Sequence, residues 1–429
     1  MLSSRALHWI VVAAGVTLPA CGLVTGSTER VVHPRFENGG MLASATALNR
    51  ESSRLLEGLW DSTEGGTLLG SSLVVHSSPD YLSIFGNRDA TYAVLEAGCL
   101  EDGQLVLEGY YRTAVDTSTG LVRLFVEPAE AAQSICSGPT PNAPFQMVGA
   151  FGTDNDTPDQ KLTLERQRLL PAAPATMVIA HRGGCRSSDD CGASENSLEV
   201  LRMAQRLGAD RVEVDVQVTS DGVPVLYHDA SFGPLLTTGS YCKGAVSDFT
   251  WAHVTQLCSL LYGEPVPRLD DALRTVVEET ELVGIWLDVK TPTGMGAALP
   301  LVRKWNQIAA DRGRNLRIVI GLSTDELISA WLGLTQTDVE CLVELGVDDL
   351  RRTGCRVWAP RWTLGPMASA VAEVTSEGRA VAFWTLDEKQ FIDLFIKEAK
   401  PTGLLTNRPG LVLQRSYWAT IQAEGDVPP

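Results

Sequence analysis

The chain has 429 residues, of which 44% are hydrophobic and 20% charged, and its formal net charge at pH 7 is −17. This length suggests two or three domains at ~100–200 residues each, and the composition excludes wholesale disorder and a collagen-like repeat. The acidic excess argues against nucleic acid as a partner, because phosphate backbones are bound by Lys and Arg, and it permits a cation as cofactor.

The N-terminus has the features of an export signal. Arg5 forms a short positive region, and the apolar segment 7–18 is too short to span a bilayer as a mature helix. The following Leu-Pro-Ala-Cys resembles a bacterial lipobox with lipid on Cys21; the alternative is an ordinary signal peptide with Cys21 free or bridged. We predict a signal peptide over 1–20, a lipidated flexible tether over 21–50, and an exported protein anchored to a cell-envelope membrane, or secreted if Cys21 carries no lipid.

The eight other cysteines are expected to form disulfides, because an exported compartment is oxidising. Sequence alone cannot select among their many connectivities. Sequential neighbours would close plausible loops, and this tentative pairing is Cys99–Cys136, Cys185–Cys191, Cys242–Cys258 and Cys341–Cys355. A zinc site is the alternative, but the absence of Cys-x-x-Cys and of Cys/His pairs at ligand spacing argues against it.

Residues 51–168 have the pattern of an all-β module. Short runs of β-branched and aromatic residues recur between clusters of Gly, Asp, Ser and Pro. The predicted strands are 72–76, 81–85, 91–95, 104–111, 121–126, 146–151 and 161–164. Their spacing favours a small sandwich or barrel. His76 is the single histidine of this module, and a lone histidine is more often structural than catalytic, so the role of the module stays open.

Residues 176–413 alternate strand-like runs with amphipathic helical stretches such as 197–207, and a tail follows over 414–429. The predicted strands are 177–180, 211–218, 223–227, 283–290, 317–320, 341–344, 356–358, 380–384 and 403–405. Repeated β–α units predict a parallel sheet, and the length suits one (β/α)8 TIM barrel of ~250 residues. The predicted fold class is therefore α/β, a TIM barrel preceded by a small all-β domain; a doubly wound open sheet is the alternative.

Charged side chains cluster near the predicted carboxyl ends of the strands, where such barrels place their chemistry. His181 can move a proton near neutral pH, and Arg182 can bind a phosphate. Glu213 and Asp215 share one face of the alternating run 211–218. A solvated polar face is the plainer interpretation, but inside a barrel two carboxylates are costly unless paired or bound to a metal such as Mg²⁺ or Ca²⁺.

Three further candidates follow along the chain. A turn after this strand would place His228 opposite Asp215 if the turn has two residues, or opposite Glu213 if it has four. Asp288 and Lys290 share a face of a later strand. Asp288 could complete a three-carboxylate metal site and Lys290 could offset phosphate charge, or the two could form only an ion pair.

These residues form an ordered set: His-Arg-Gly, then Glu195-Asn196-Ser197, Glu-x-Asp, His-Asp, Asp-x-Lys, and Trp-Thr near the end. The set resembles the glycerophosphodiester phosphodiesterase family, whose fold is a TIM barrel, and the resemblance covers roughly 176–413. It implies hydrolysis of a glycerophosphodiester to glycerol 3-phosphate and an alcohol, with one divalent cation, Mg²⁺ or Ca²⁺.

The same resemblance implies individual roles. It implies that His181 and His228 are the catalytic pair and that Arg182 and Lys290 contact the phosphate. It implies that the metal ligands are Glu213, Asp215 and Asp288. Trp384 would be an aromatic residue near the substrate, and Glu195 would order the histidine or metal shell. Asp288 departs from the family, which usually has Glu there, and resembles sphingomyelinase D-type phospholipases.

Three functions are therefore weighed. The leading hypothesis is a surface-anchored, metal-dependent glycerophosphodiesterase with two-histidine acid–base catalysis. A phospholipase D-like enzyme acting on intact lipids is the second, favoured by Asp288 and the predicted anchor. A non-catalytic binding lipoprotein is the third. The head group, the choice of metal, the acid and base histidines, and the oligomeric state are not determined by the sequence.

Overall fold

The computed structural model describes residues 30–138, 144–186, 191–334 and 338–425. The predicted signal peptide and Cys21 lie outside the described residues. From Val31 onward the chain forms one compact unit, and this unit contains two closed β-barrels. The structure confirms the predicted α/β class, with a TIM barrel preceded by an all-β domain.

The first barrel is an antiparallel meander, in which every strand pairs with the next along the chain and the last pairs with the first. Its strands are β1 (Gly58–Glu64), β2 (Ser72–Ser77), β3 (Leu82–Gly86), β4 (Tyr92–Cys99), β5 (Leu105–Arg112), β6 (Thr119–Glu127), β7 (Gln146–Phe151) and β8 (Gln160–Arg168). Its helices are α1 (Arg50–Arg54), α2 (Gly66–Leu69) and α3 (Ala129–Ser137). Closure removes the exposed edges that a sandwich would leave.

Alternation along the strands sorts side chains between two cores. Leu73, Val75 and Leu95 point into the barrel, where they pack with other apolar side chains. Val74 and Val94, on the same two strands, point outward and pack against the second barrel. The period of two thus builds the interior and the contact surface from the same strands.

Four elements of this barrel were not predicted, the strand β1 and the helices α1, α2 and α3. In β1 only the first three residues, which end at Trp60, are buried. The polar residues that follow have a sequence typical of a turn. α3 begins after Pro128 and buries Ala131, Ala132 and Ile135. Because these apolar stretches are short, their periodicity is too weak to indicate an element by itself.

Residues 31–50 differ from the predicted flexible tether. They lie on the outer face of the antiparallel barrel, where Glu108 Oε2 accepts the Met41 N–H at 2.8 Å. The His33 ring stacks on Tyr110 with 4.0 Å between ring centroids. The prediction was wrong for this segment because these contacts join residues far apart in the sequence.

The second barrel has eight parallel strands and closes through pairing of its first strand with both its second and its last. The strands are β9 (Met177–Ala180), β10 (Arg211–Val218), β12 (Gly284–Val289), β13 (Arg317–Leu322), β14 (Glu340–Val343), β15 (Val357–Trp358), β16 (Ala380–Phe383) and β17 (Gly403–Thr406). One further strand, β11 (Pro224–Leu226), runs antiparallel to β10.

Helices cover this barrel and follow its strands. They are α4 (Leu198–Met203), α5 (Trp251–Leu257), α6 (Leu269–Glu278), α7 (Pro292–Asp311), α8 (Asp325–Leu332), α9 (Val347–Thr353), α10 (Ala368–Ser376), α11 (Lys389–Glu398) and α12 (Pro409–Ala423). Short 3-10 turns occupy Glu37–Gly39, Met41–Ser44, His181–Gly183, Val246–Asp248 and Trp362–Leu364. Among the helices described, none has both the length and the apolar character needed to cross a membrane.

The C-terminal helix α12 corrects the predicted tail over 414–429. Tyr417 and Ile421 are buried, so the helix belongs to the core through residue 421 and ends at Ala423. It also joins the two barrels, because a Cβ on Gly410 would come within 2.3 Å of the Phe85 ring. Only glycine therefore lets α12 approach β3 this closely.

All four predicted disulfides are present. One closes the loop directly after the first strand of the parallel barrel, Cys185–Cys191. Another, Cys242–Cys258, staples a small insertion between β11 and α6. That insertion contains two short strand pairs, Ser231–Phe232 with Gly244–Ala245 and Thr237–Thr238 with Ser259–Leu260.

Candidate active site

The carboxyl end of the parallel barrel brings together the charged residues from three strands. β10 presents Glu213 and Asp215 inward, because the intervening valines pack outward under the helices. Asp288 on β12 is the direct neighbour of Asp215 in the strand register. Carboxylate oxygens of all three lie within 4.8 Å of one another. The structure thus assembles the predicted acidic cluster.

The His-Arg-Gly turn frames this cluster from β9. Arg182 has a positive φ of 54°, and in this conformation its N–H donates to Glu213 Oε2 at 2.8 Å. Its guanidinium donates to Glu195 Oε1 at 2.7 Å, and its Nε lies 3.5 Å from Asp215 Oδ2. Glu195 therefore contacts the guanidinium of Arg182. Strained backbone of this kind concentrates at functional sites.

Asn196 holds Asp215 from the other side. Its Nδ2 donates to Asp215 Oδ2 at 2.8 Å, and its Oδ1 accepts the Asp215 N–H at 3.0 Å. Both residues are buried. These two reciprocal hydrogen bonds fix the orientation of the Asp215 carboxylate. The sequence motif included Asn196 but assigned no role to it.

His181 lies at the rim of the cluster, and its hydrogen-bond partners determine which ring nitrogen carries the hydrogen. Its Nδ1 lies 2.7 Å from Asn407 Oδ1, and Asn407 Nδ2 donates to Asp387 Oδ2 at 2.6 Å. The Asn407 oxygen is therefore the acceptor, so Nδ1 carries the hydrogen and Nε2 has a free lone pair. Burial, together with the nearby Arg182 charge, lowers the pKa of His181. Its Nε2 lies 3.9 Å from Glu213 Oε2.

His228 follows β11 in a register that differs from both predicted alternatives. The hairpin pairs Val216 with Leu226, and the Tyr227 N–H donates to the Asp215 carbonyl at 3.1 Å. His228 is thus opposite neither predicted carboxylate, because the turn is one residue out of step with both. His228 still lies close enough to Asp215 to help lower the pKa of that carboxyl, and its Nδ1 lies 2.6 Å from Asp229 Oδ1.

Lys290 is the cation closest to the cluster. Its Nζ lies 2.6 Å from Asp215 Oδ1 and also contacts Asp288. Burial opposes its charge, but Asp215 and Asp288 outweigh burial and raise the Lys290 pKa. Reciprocally, burial would raise the pKa of Asp215, while Lys290 and Arg182 outweigh burial and lower it. Lys290 is thus held as ammonium at the cleft.

Charge balance and an unpaired oxygen indicate that the cluster fits a divalent cation. Within the described residues, the four carboxylates of Glu195, Glu213, Asp215 and Asp288 gather around the two cations Arg182 and Lys290. Burial, with Asp215 and Asp288 nearby, raises the pKa of Glu213 well above its ordinary value. Asp288 Oδ1 is buried without a hydrogen-bond partner in the described part of the chain. Carboxylate oxygens are the ligands that Mg²⁺ and Ca²⁺ prefer.

Glu344, directly after β14, was not identified from the sequence. Burial, with Asp288 nearby, raises its pKa to about 8, and Lys290 and Arg361 act in the opposite direction. A carboxylate ending a predicted strand was a signal available in the sequence. Nothing local distinguished Glu344 from other acidic strand ends, so the barrel closure was needed to place it near the cluster.

Trp384 lies directly after β16, and both its ring and its indole nitrogen contact neighbouring residues. Its Nε1 donates to the Ala359 carbonyl at 2.7 Å, and the Arg361 guanidinium lies 4.9 Å from its ring centroid. The predicted site residue is therefore in the wall of the barrel mouth, fixed by neighbouring strands.

Comparisons with known proteins match the part of the chain that forms the parallel barrel. The family described as "Glycerophosphoryl diester phosphodiesterase family" matches residues 181–411, more than half of the chain. A glycerophosphodiester phosphodiesterase from Caldanaerobacter subterraneus subsp. tengcongensis is 36% identical over 110 residues, which is 25% of this chain and 41% of the relative. The mouse protein named glycerophosphodiester phosphodiesterase 1 is 35% identical over 139 residues, 30% of this chain and 39% of the relative.

A longer alignment extends to a protein named probable glycerophosphodiester phosphodiesterase 2 from Mycobacterium tuberculosis. It is 25% identical over 270 residues, 56% of this chain and 92% of the relative. Among solved structures, an Oleispira antarctica phosphodiesterase in complex with sn-glycerol-3-phosphate is similar with a TM-score of 0.47 and 20% identity, covering 57% of this chain and 96% of that one.

Proposed function

The chain belongs to the glycerophosphoryl diester phosphodiesterase family, and on that premise we propose that it hydrolyses glycerophosphodiesters to glycerol 3-phosphate and an alcohol. The observation that carries the proposal is the convergence of His181 and His228 with two cations and the acidic cluster at one barrel mouth. This combination supplies both things that hydrolysis of a phosphodiester needs, which are proton transfer and neutralisation of the phosphoryl charge.

We assign the base to His181 and the acid to His228. The free Nε2 lone pair of His181 can remove a proton from the attacking water, because Asn407 holds the hydrogen on Nδ1. Asp229 orients the His228 ring through Nδ1, which leaves Nε2 to protonate the leaving alcohol oxygen. Arg182 and Lys290 attract the phosphodiester anion and hold it against the histidines.

The proposed ligands of one divalent cation, Mg²⁺ or Ca²⁺, are Glu213, Asp215 and Asp288. A bound cation of this kind supplies positive charge at the phosphoryl oxygens. Asn196 and the Arg182 N–H keep two of the carboxylates oriented. These contacts leave Asp288 Oδ1 available to a cation.

A substrate panel tests the activity. Glycerophosphocholine, lysophosphatidylcholine and sphingomyelin are each incubated with Mg²⁺ or Ca²⁺, and both free choline and free glycerol 3-phosphate are measured. We expect release from glycerophosphocholine by the wild type and not by Asp215→Asn. Turnover confined to the two lipids would instead support the phospholipase D-like alternative, which the short Asp288 favours. If none of the three substrates were turned over, the result would support the third hypothesis, a non-catalytic binding lipoprotein.

We also propose that the protein is an exported lipoprotein with lipid on Cys21. The sequence of residues 1–21 supports this, and the described structure begins after it. Labelling with a radioactive fatty acid in the wild type and in Cys21→Ala tests the proposal. Label in the wild type alone is expected, whereas an unlabelled wild type would contradict it.

A further inference from the structure

A second cavity lies away from the barrel mouth, between the two barrels and the N-terminal segment. Its volume is about 540 Å³, which falls within the range of small-molecule sites. The walls come from residues 33–42, from the outer faces of β4 and β5, and from the turn after α4. They include Arg35, Phe36, Tyr81, Glu96, Tyr110 and Arg206.

Two hydrogen-bond donors in this wall lack acceptors, since the Arg206 Nε and the Tyr110 hydroxyl are buried without a hydrogen-bond partner in the described part of the chain. Arg206 and the exposed Arg35 form no ion pair there. The Arg206 guanidinium lies 4.8 Å from the Tyr81 ring centroid, a cation–π contact that supplies no oxygen acceptor for its N–H groups. Buried donors without acceptors cost free energy.

The cavity is electropositive although the chain as a whole is acidic. Glu108 does not neutralise it, because its Oε1 binds Arg123 and its Oε2 accepts the Met41 N–H. Glu96 is the remaining acidic side chain in the wall, and it is exposed. Two guanidinium groups therefore face one solvated carboxylate, in a chain whose formal net charge is −17.

Both guanidinium groups act on the same hydroxyl. Burial raises the pKa of Tyr110 to about 12, while Arg206 and Arg35 lower it in part. The ring of Tyr110 is held by its stack on His33. The hydroxyl and the two arginines therefore line one cavity, and both guanidinium charges reach the hydroxyl.

We propose that this cavity binds a small organic phosphate. Two guanidinium groups and a phenol hydroxyl offer more donors than the two oxygens of a carboxylate use, and they match the several oxygens of a phosphate. The volume exceeds what a bare phosphate fills, and the Phe36 side chain supplies apolar wall for an organic portion. The proposal does not depend on the reaction at the barrel mouth.

Isothermal titration calorimetry of the full chain tests the proposal with sn-glycerol 3-phosphate, inorganic phosphate and acetate as probes. The background is Arg182→Gln with Lys290→Gln, which removes the cationic contacts at the barrel mouth. In this background we expect glycerol 3-phosphate to bind, more tightly than inorganic phosphate, and acetate to bind weakest. Adding Arg35→Gln and Arg206→Gln should weaken binding at least about tenfold, since each removes a charge-assisted contact.

Arg88→Gln is the matched control, because Arg88 is an exposed arginine of the same barrel paired with Asp89; it should leave affinity unchanged. Complete loss of binding in the background variant, or unchanged affinity after the Arg35 and Arg206 substitutions, would overturn the proposal, as would acetate binding as tightly as phosphate. If circular dichroism shows that the arginine variants are unfolded, Tyr110→Phe keeps the ring stack and removes only the hydroxyl. An affinity about threefold weaker or more is then expected, and an unchanged affinity overturns the proposal.

Discussion

The two barrels of this chain use their interiors in opposite ways. The antiparallel barrel is filled by apolar side chains such as Trp60, Leu95 and Leu107. The parallel barrel has an apolar layer that includes Trp286 and Leu342, and above it lies the charged cluster at the carboxyl ends of the strands. The same closed-barrel geometry therefore gives a packed core in one case and a candidate active site in the other.

Strand direction explains the difference. In an antiparallel barrel, successive strands end at opposite rims, and short hairpins join them. In a parallel barrel every strand ends at the same rim, so charged residues from strands far apart in sequence meet there. His181, Asp215 and Asp288 come from β9, β10 and β12 and meet in this way, whereas the alternating inward residues of the first barrel serve packing.

Metal removal should have the largest effect and acts only on the parallel barrel. In excess EDTA we expect hydrolysis of glycerophosphocholine to fall to the level of Asp215→Asn, because the clustered carboxylates would otherwise repel the phosphodiester. Mg²⁺ or Ca²⁺ should restore turnover. The measurement is initial rate against free metal concentration, and full activity in excess chelator would contradict the assignment of the cluster.

Replacing the histidines is expected to be the next largest effect. His181→Ala and His228→Ala should each lower kcat by about 10²–10⁴-fold, the usual contribution of one acid–base group. His253→Gln, an exposed histidine on α5, is the control and should retain wild-type kinetics. Steady-state kinetics at saturating metal decide the matter, and normal turnover in both alanine variants would remove these residues from the mechanism.

A cavity in the antiparallel barrel should affect stability rather than chemistry. Trp60 is fully buried, so Trp60→Ala should lower the free energy of unfolding by about 3–5 kcal/mol. At a temperature well below the new Tm, kcat should be unchanged, because Trp60 packs in the core of the other barrel. Glu130→Ala on the surface of α3 is the control. A reduced kcat in folded Trp60→Ala would show that catalysis at the parallel barrel depends on the packing of the antiparallel barrel.

The smallest effect is expected where the two barrels meet. His76 on β2 lies beside Tyr417 of α12, with ring centroids 6.3 Å apart. Burial lowers the pKa of His76, opposed in part by Glu57 and Asp210.

Because folding favours neutral His76, its contribution is present above the unfolded-state pKa of about 6.5 and decreases as pH falls below it. From about pH 7.5 to about pH 5.5, Tm should therefore fall further in the wild type than in His76→Gln. Equal pH dependence of the two melting curves would rule out His76 as the source.

Local sequence patterns predict much of the parallel barrel and part of its site. The alternation in 211–218 is sufficient to put Glu213 and Asp215 on one face, and the strand has the predicted bounds. By contrast, Glu344 and Asn407 were not assigned roles at the site, since their importance depends on which strands become neighbours when the barrel closes. The hairpin register of His228 also escaped prediction, because a shift of one residue changes no local propensity.

The sequence by itself determined the class of both barrels and the identity of the charged residues at the strand ends, because periodicity and turn residues are properties of neighbouring positions. The tertiary structure alone decided that the first barrel closes, that residues 31–50 lie on it, and that α12 packs against Phe85. Each of these results from contacts between side chains distant in the chain, such as Glu108 with the Met41 N–H, and such contacts have free energies that no short window of sequence contains.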